Sequence, residues 1–269
     1  MKIIYLAIFI ACISCNSITY ESLLFKGENA SKRNNFKEAV DLFSQAIEIN
    51  TNDPLVYILR AYCYNELSEY ELALTDLQEA SRLNGDKYSI YLNMGNSYFR
   101  LKKYQEAFHY FKAALDINPN DYNANFNIGF CCFNLGANEN AVKFLTAAIS
   151  IEPKSIEAIG LRGLVYAEIG DYEQALEDET MAIELDPKDD QLYNFKGQLL
   201  VDIEKYEEAL YYFNSAIKLN PENLEAYYYR SNCYMQTNKI NKGCDDLRFL
   251  KSKNYTEHDI STVISKYCK

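Results

Sequence analysis

Histidine is almost missing from this chain of 269 residues: only His109 and His258 occur. The spacing set out below puts neither beside a serine or cysteine that it could activate, which leaves nucleophilic catalysis without its usual base. Glycine is sparse and never clusters into a phosphate-binding loop. Beyond Cys15 no CxxC pair is present to begin a metal knuckle, and Glu177, Asp178 and Glu179, consecutive on a helix, point in different directions and cannot converge on one ion. These absences predict no enzyme, no cofactor and no metal. Basic residues are outnumbered, 27 Lys and Arg against 38 Asp and Glu, for a formal charge of −11. A nucleic-acid partner would need a basic footprint, so none is expected. Only five prolines occur, and four stand at a fixed interval. Nothing here has the composition of a disordered or low-complexity segment.

That interval is the main content of the chain. Pro119, Pro153, Pro187 and Pro221 are 34 residues apart. Counting repeats from Tyr20, Pro54, Tyr88, Tyr122, Ile156, Asp190 and Leu224, position 8 reads Gly27, Ala61, Gly95, Gly129, Gly163, Gly197 and Ser231. Position 20 is alanine in six repeats and Gly243 in the seventh, and position 27 is alanine from Ala46 to Ala216 before Leu250. Large residues recur at position 4 (Leu23, Tyr57, Tyr91) and position 24 (Phe43, Leu77, Phe111, Phe213). Small residues let helix backbones approach, and bulky ones fill the spaces between them.

This pattern of large, small, aromatic and paired alanine positions closed by proline resembles the tetratricopeptide repeat. The resemblance runs from Tyr20 to Glu257. It implies an all-α solenoid, a superhelix of seven antiparallel helix pairs over 20–53, 54–87, 88–121, 122–155, 156–189, 190–223 and 224–257, with a capping helix over 258–269. Thr51 and Gly85 replace the proline, Asn125 the aromatic and Glu179 the large residue of single repeats. In this family the first helix of each repeat lines a groove for a peptide or helix of another protein. The matching positions here carry Ile58, Tyr62, Leu92, Phe99, Phe126, Phe130 and Phe133, the expected partner-binding wall. Leu24 and Glu28 stand where the chaperone-tail clamp of the family has lysine and asparagine, which disfavours that adaptor role.

The first residues follow another logic. Lys2 precedes an apolar run from Ile3 to Ile13, too short for a permanent span and suited to a secretory leader. Ile13, Ser14 and Cys15 resemble the bacterial lipoprotein cleavage box. That implies loss of residues 1–14, lipid on Cys15 and a protein held on an envelope membrane; Cys12 is a second candidate, and plain secretion an alternative fate. Cys63, Cys131 and Cys233 share position 10 and read as small packing residues, with Cys132 beside them. Cys244 and Cys268, placed as at the ends of other exported repeat proteins, form a disulfide in an oxidising compartment or stand as two thiols.

A covariation runs through the chain itself. Arg60, Arg162 and Arg230 occupy position 7 in the three repeats whose position 23 is Asp76, Asp178 and Asp246. Where position 7 is Met94 or Ile128, position 23 is Tyr110 or Phe144. A half-buried guanidinium needs a carboxylate, so three structural ion pairs are expected. Lys26 and Lys196 break the pairing and are expected to send their amines to solvent. The function expected is a non-enzymatic scaffold of the envelope that binds another protein. A small-molecule or glycan receptor using the aromatics, and a structural part of an envelope assembly machine, are the alternatives. No feature of the sequence marks a homo-oligomer.

Overall fold

A computed structural model describes residues 19–256 and 258–268; the leader, Cys12 and Cys15 lie outside them. The described residues hold fifteen α-helices and no strand. They belong to two compact units that divide after Leu135.

The first unit contains α1 (Tyr20–Lys32), α2 (Phe36–Ile49), α3 (Pro54–Glu66), α4 (Tyr70–Arg82), α5 (Lys87–Arg100), α6 (Tyr104–Ile117) and α7 (Tyr122–Asn134). Each helix packs on its successor, and first helices also touch one another, α1 on α3, α3 on α5 and α5 on α7. First helices begin at a capping side chain: Thr19, Asp53, Asp86 and Asp121 each accept a hydrogen bond from a backbone N–H of the opening turn. They end where Asn34, Ser68 and Lys102 take a left-handed backbone that reverses the chain. Tyr20 and Tyr88, at position 1, donate to Asp53 and Asp121, at position 34 of the same repeat. The core is a continuous cluster including Leu23, Phe43, Val56, Tyr57, Leu77 and Ile90.

The second unit contains α8 (Asn138–Ile151), α9 (Ile156–Glu168), α10 (Tyr172–Leu185), α11 (Asp190–Asp202), α12 (Tyr206–Leu219), α13 (Leu224–Gln236), α14 (Ile240–Ser252) and α15 (Ile260–Tyr267). Successive helices again pack in order, and the short α15 sits on α14. It lies within the stretch expected to cap the array. Leu247, Leu250, Tyr255 and Ile260 form a small terminal core of their own. Cys244 and Cys268 are bonded, with Cα atoms 5.4 Å apart, so the end of α15 is tied to α14. Cys63, Cys131, Cys132 and Cys233 are buried thiols, and burial pushes Cys131 and Cys233 up to about 12 and Cys132 to about 11. Those four are therefore packing groups and not reactive thiolates.

Position 8 shows why the helices pack so closely. A Cβ on Gly27, Gly95 or Gly197 would lie 2.5, 2.6 or 2.6 Å from the ring of Phe43, Phe111 or Phe213. Where position 8 is Ala61 or Ser231, the opposing residue is the slimmer Leu77 or Leu247. The two positions share one volume.

Candidate interaction surface

The three arginine and aspartate pairs are fork-shaped and internal to their units. Arg60 Nη2 lies 2.7 Å from Asp76, and Arg162 and Arg230 lie 2.6 Å from Asp178 and Asp246. In each, Nε donates to the second carboxylate oxygen. A third partner completes every triad: Nη1 donates to Ser44, Thr146 or Asn214, at position 25 of the preceding repeat. These side chains are only 14–17 % exposed at the arginine and less at the aspartate, so they are framework and not binding groups. The third partner escaped the sequence reading, although position 25 carried its signal. It is Ser44, Thr146 or Asn214 before an arginine repeat, and Gln78 or Lys112 before Met94 or Ile128.

Lys196 departs from expectation. It is buried, donates to Thr180 Oγ1 at 2.5 Å and holds its amine 5.0 Å from the centre of the Tyr212 ring. The hydroxyl and the ring face take the place of water, so the amine does not reach solvent. His258 also differs from an ordinary surface histidine, stacking 3.9 Å from Tyr228.

The expected partner wall lies wholly in the first unit. Tyr62 is exposed and meets Phe36 edge to face at 6.1 Å. Leu92, Phe99, Phe126, Phe130 and Phe133 are half-buried. Phe99 is a hub, with Phe130 at 5.1 Å, Tyr104 at 5.9 Å and Phe111 at 6.5 Å; Phe126 stacks on Tyr122 at 5.9 Å. Ile58 must be removed from the wall. It is 8 % exposed and belongs to the core, because α3 turns this position toward its neighbours.

Between these rings is a cleft of about 310 Å³ that the sequence reading did not anticipate. Its sides are Tyr62, Asn65 and Glu66 from α3, then Asn93, Asn96, Phe99 and Arg100 from α5, and Asn127 from α7. The floor is fixed, since Ser97 donates to Asn65 Oδ1 at 2.8 Å and Asn65 Nδ2 donates to the Asn93 carbonyl. Among the described residues there is no set of His, Cys, Asp and Glu side chains fit to hold a metal, and no helix long and apolar enough to cross a membrane.

Models of the tetratricopeptide repeat match residues 88–121, 122–155, 156–189 and 196–240, more than half of the chain. Among solved structures, YrrB, described as a protein of this type with an unusual peptide-binding site, is 27 % identical, with 68 % of this chain and 95 % of that one covered at a TM-score of 0.61. The C-terminal part of a repeat protein from Cytophaga hutchinsonii is 19 % identical, covering 87 % and 96 % at a TM-score of 0.76. MamA from Desulfovibrio magneticus RS-1 is 20 % identical, covering 65 % and 99 % at a TM-score of 0.60. Together with the helix-pair fold, these matches place the chain in the tetratricopeptide repeat family, whose repeats serve in general as non-enzymatic surfaces for binding other proteins.

Proposed function

We propose that the chain is an envelope-anchored scaffold that holds a segment of another protein against the first helices of its first unit. One observation carries the site: an exposed tyrosine and five half-buried apolar side chains share one wall with a polar cleft. A protein surface gains nothing from leaving such a patch to water unless a partner covers it. The peptide-binding site described for YrrB supports the same use of the fold. Anchoring rests on Lys2, the apolar run and Cys15; two acyl signals hold a chain stably on a membrane.

The test of the site is in-cell photocrosslinking from position 62, followed by capture with a variant carrying Phe126→Ala and Phe130→Ala. Anchor residues of this kind contribute about 2 kcal/mol or more. Capture of the crosslinked partner should fall at least tenfold with the helical signal unchanged; undiminished capture would move the site elsewhere. The anchor is tested separately. A fatty-acid analogue should label the protein, and Cys15→Ala should abolish the label.

A further inference from the structure

Resting on the anchored reading above, we infer that the open end of α1 and α2 lies on an anionic phospholipid surface, with Lys26, Lys32 and Arg33 at the headgroup phosphates and Phe25 in the interface. Position 7 normally reaches the preceding repeat: Arg60 donates to Ser44, and Arg162 to Thr146. In the first repeat position 7 is Lys26 and position 23 is Leu42. α1 packs on α2 and α3, both later in the chain, and no described helix stands before it. At this open end is a hollow of about 500 Å³ lined by Lys26, Asn29, Lys32, Arg33, Glu38 and Leu42.

The charge of the hollow is only partly spent. Arg33 Nε donates to the Asn29 carbonyl at 3.2 Å, and Arg33 Nη2 lies 3.9 Å from Glu38, which also accepts from Asn35. Lys26 and Lys32 are exposed and make no side-chain hydrogen bond or ion pair among the described residues. The lining therefore carries a net charge of +2 in a chain of −11. Phe25 is 66 % exposed, on the side of α1 away from the buried Leu23, Gly27 and Ala30. Long cationic stems beside an exposed ring suit a membrane interface, where the charges stay at the phosphates and the ring enters the acyl boundary. By the helical period Glu21 and Glu28 lie on the other side of Phe25 from Lys26 and Arg33, so the helix rests on its basic side.

Reach and charge select this occupant. Residues 16–19, between Cys15 and α1, carry no charge, and the five residues from Cys15 to Tyr20 extend to at most about 17 Å. α1 itself, of 13 residues, is about 20 Å long. A lipid on Cys15 and the basic hollow therefore meet one membrane with α1 along its surface. A second copy stacked head to tail would need an open C-terminal end, and α15, bonded to α14 through Cys244 and Cys268, covers that end.

The chain has no tryptophan, so Phe25→Trp supplies a single reporter. The lipid-bearing full chain with this change would be placed on phosphatidylcholine vesicles containing nitroxide-labelled lipid, with and without phosphatidylglycerol. The nitroxide should quench the reporter when phosphatidylglycerol is present, and high salt should relieve the quenching. Lys26→Gln, Lys32→Gln and Arg33→Gln should each lower the ratio of membrane-laid to free α1 about fivefold, with melting unchanged. Lys26→Arg with Lys32→Arg should leave that ratio as it was. Quenching that ignores phosphatidylglycerol, or that survives all three glutamines together, overturns the inference and leaves the lipid anchor standing. Blue-shifted emission without quenching means that a protein covers this face, and overturns it as well. If Cys15 carries no lipid, the anchored reading falls and this inference with it.

Discussion

Glu179 occupies the place that Phe43, Phe111 and Phe213 hold in other repeats. It is 1 % exposed, and its Oε1 has no hydrogen-bond partner. Burial, first of all, pushes its carboxyl up to about 8; Asp189 and Asp178 add to the rise, and Lys196 opposes it. The folded state therefore holds a proton that the unfolded chain releases near the ordinary value of 4.5. The stability this proton confers is complete below that value and is lost as pH rises to about 8. Glu179→Leu should flatten the dependence between those limits and stabilise the protein at pH 8 by up to about 4 kcal/mol, as read by urea denaturation at several pH values. An unchanged slope would mean the carboxyl is solvated. The ion pairs allow a second test at this scale. Asp178→Ala alone strands Arg162 half-buried and should cost about 3 kcal/mol. Arg162→Met with Asp178→Tyr copies the Met94 and Tyr110 pair of the third repeat and should cost far less, a difference that a double-mutant cycle measures.

Helix pairs meet where position 8 faces position 24. In Gly95→Ala the new methyl would lie 2.6 Å from the Phe111 ring, so the ring must move. Overpacking costs typically about 1–3 kcal/mol, more than the gain of about 1 kcal/mol from replacing glycine within a helix. The expected result is a lower melting temperature. Adding Phe111→Leu recreates the Ala61 and Leu77 arrangement and should recover most of the loss. An unchanged melting temperature in Gly95→Ala would show that the ring has room to shift.

For the molecule as a whole, stability comes from neighbour contacts, and among the described residues α15 packs on α14. Within α15 itself, Ile260 is the one buried residue, and an eight-residue helix is not stable alone. The Cys244 to Cys268 bond joins residues 24 apart and so restricts the unfolded end of the chain. Reduction by a dithiol should cost about 2–4 kcal/mol, and hydrogen exchange should report it first in α15, then in α14. Protection of α15 that survives reduction would assign its hold to Ile260, Val263 and Ile264.

Much of this was readable in advance because a repeat prints each structural requirement several times. Small residues at position 8, prolines at the junctions and the joint change of positions 7 and 23 reveal the helix pairs and their arginine partners without coordinates. The disulfide partners were named from their placement, with free thiols left open. What the sequence could not determine was how far each helix rotates against its neighbours. That rotation buried Ile58, turned Lys196 onto Thr180 and Tyr212, and brought Asn96, Arg100 and Asn127 from two helices to one cleft. A helical period assigns a residue to a face, but accessibility at the edge of that face depends on the volumes packed behind it, and those are set only when neighbouring repeats close on one another.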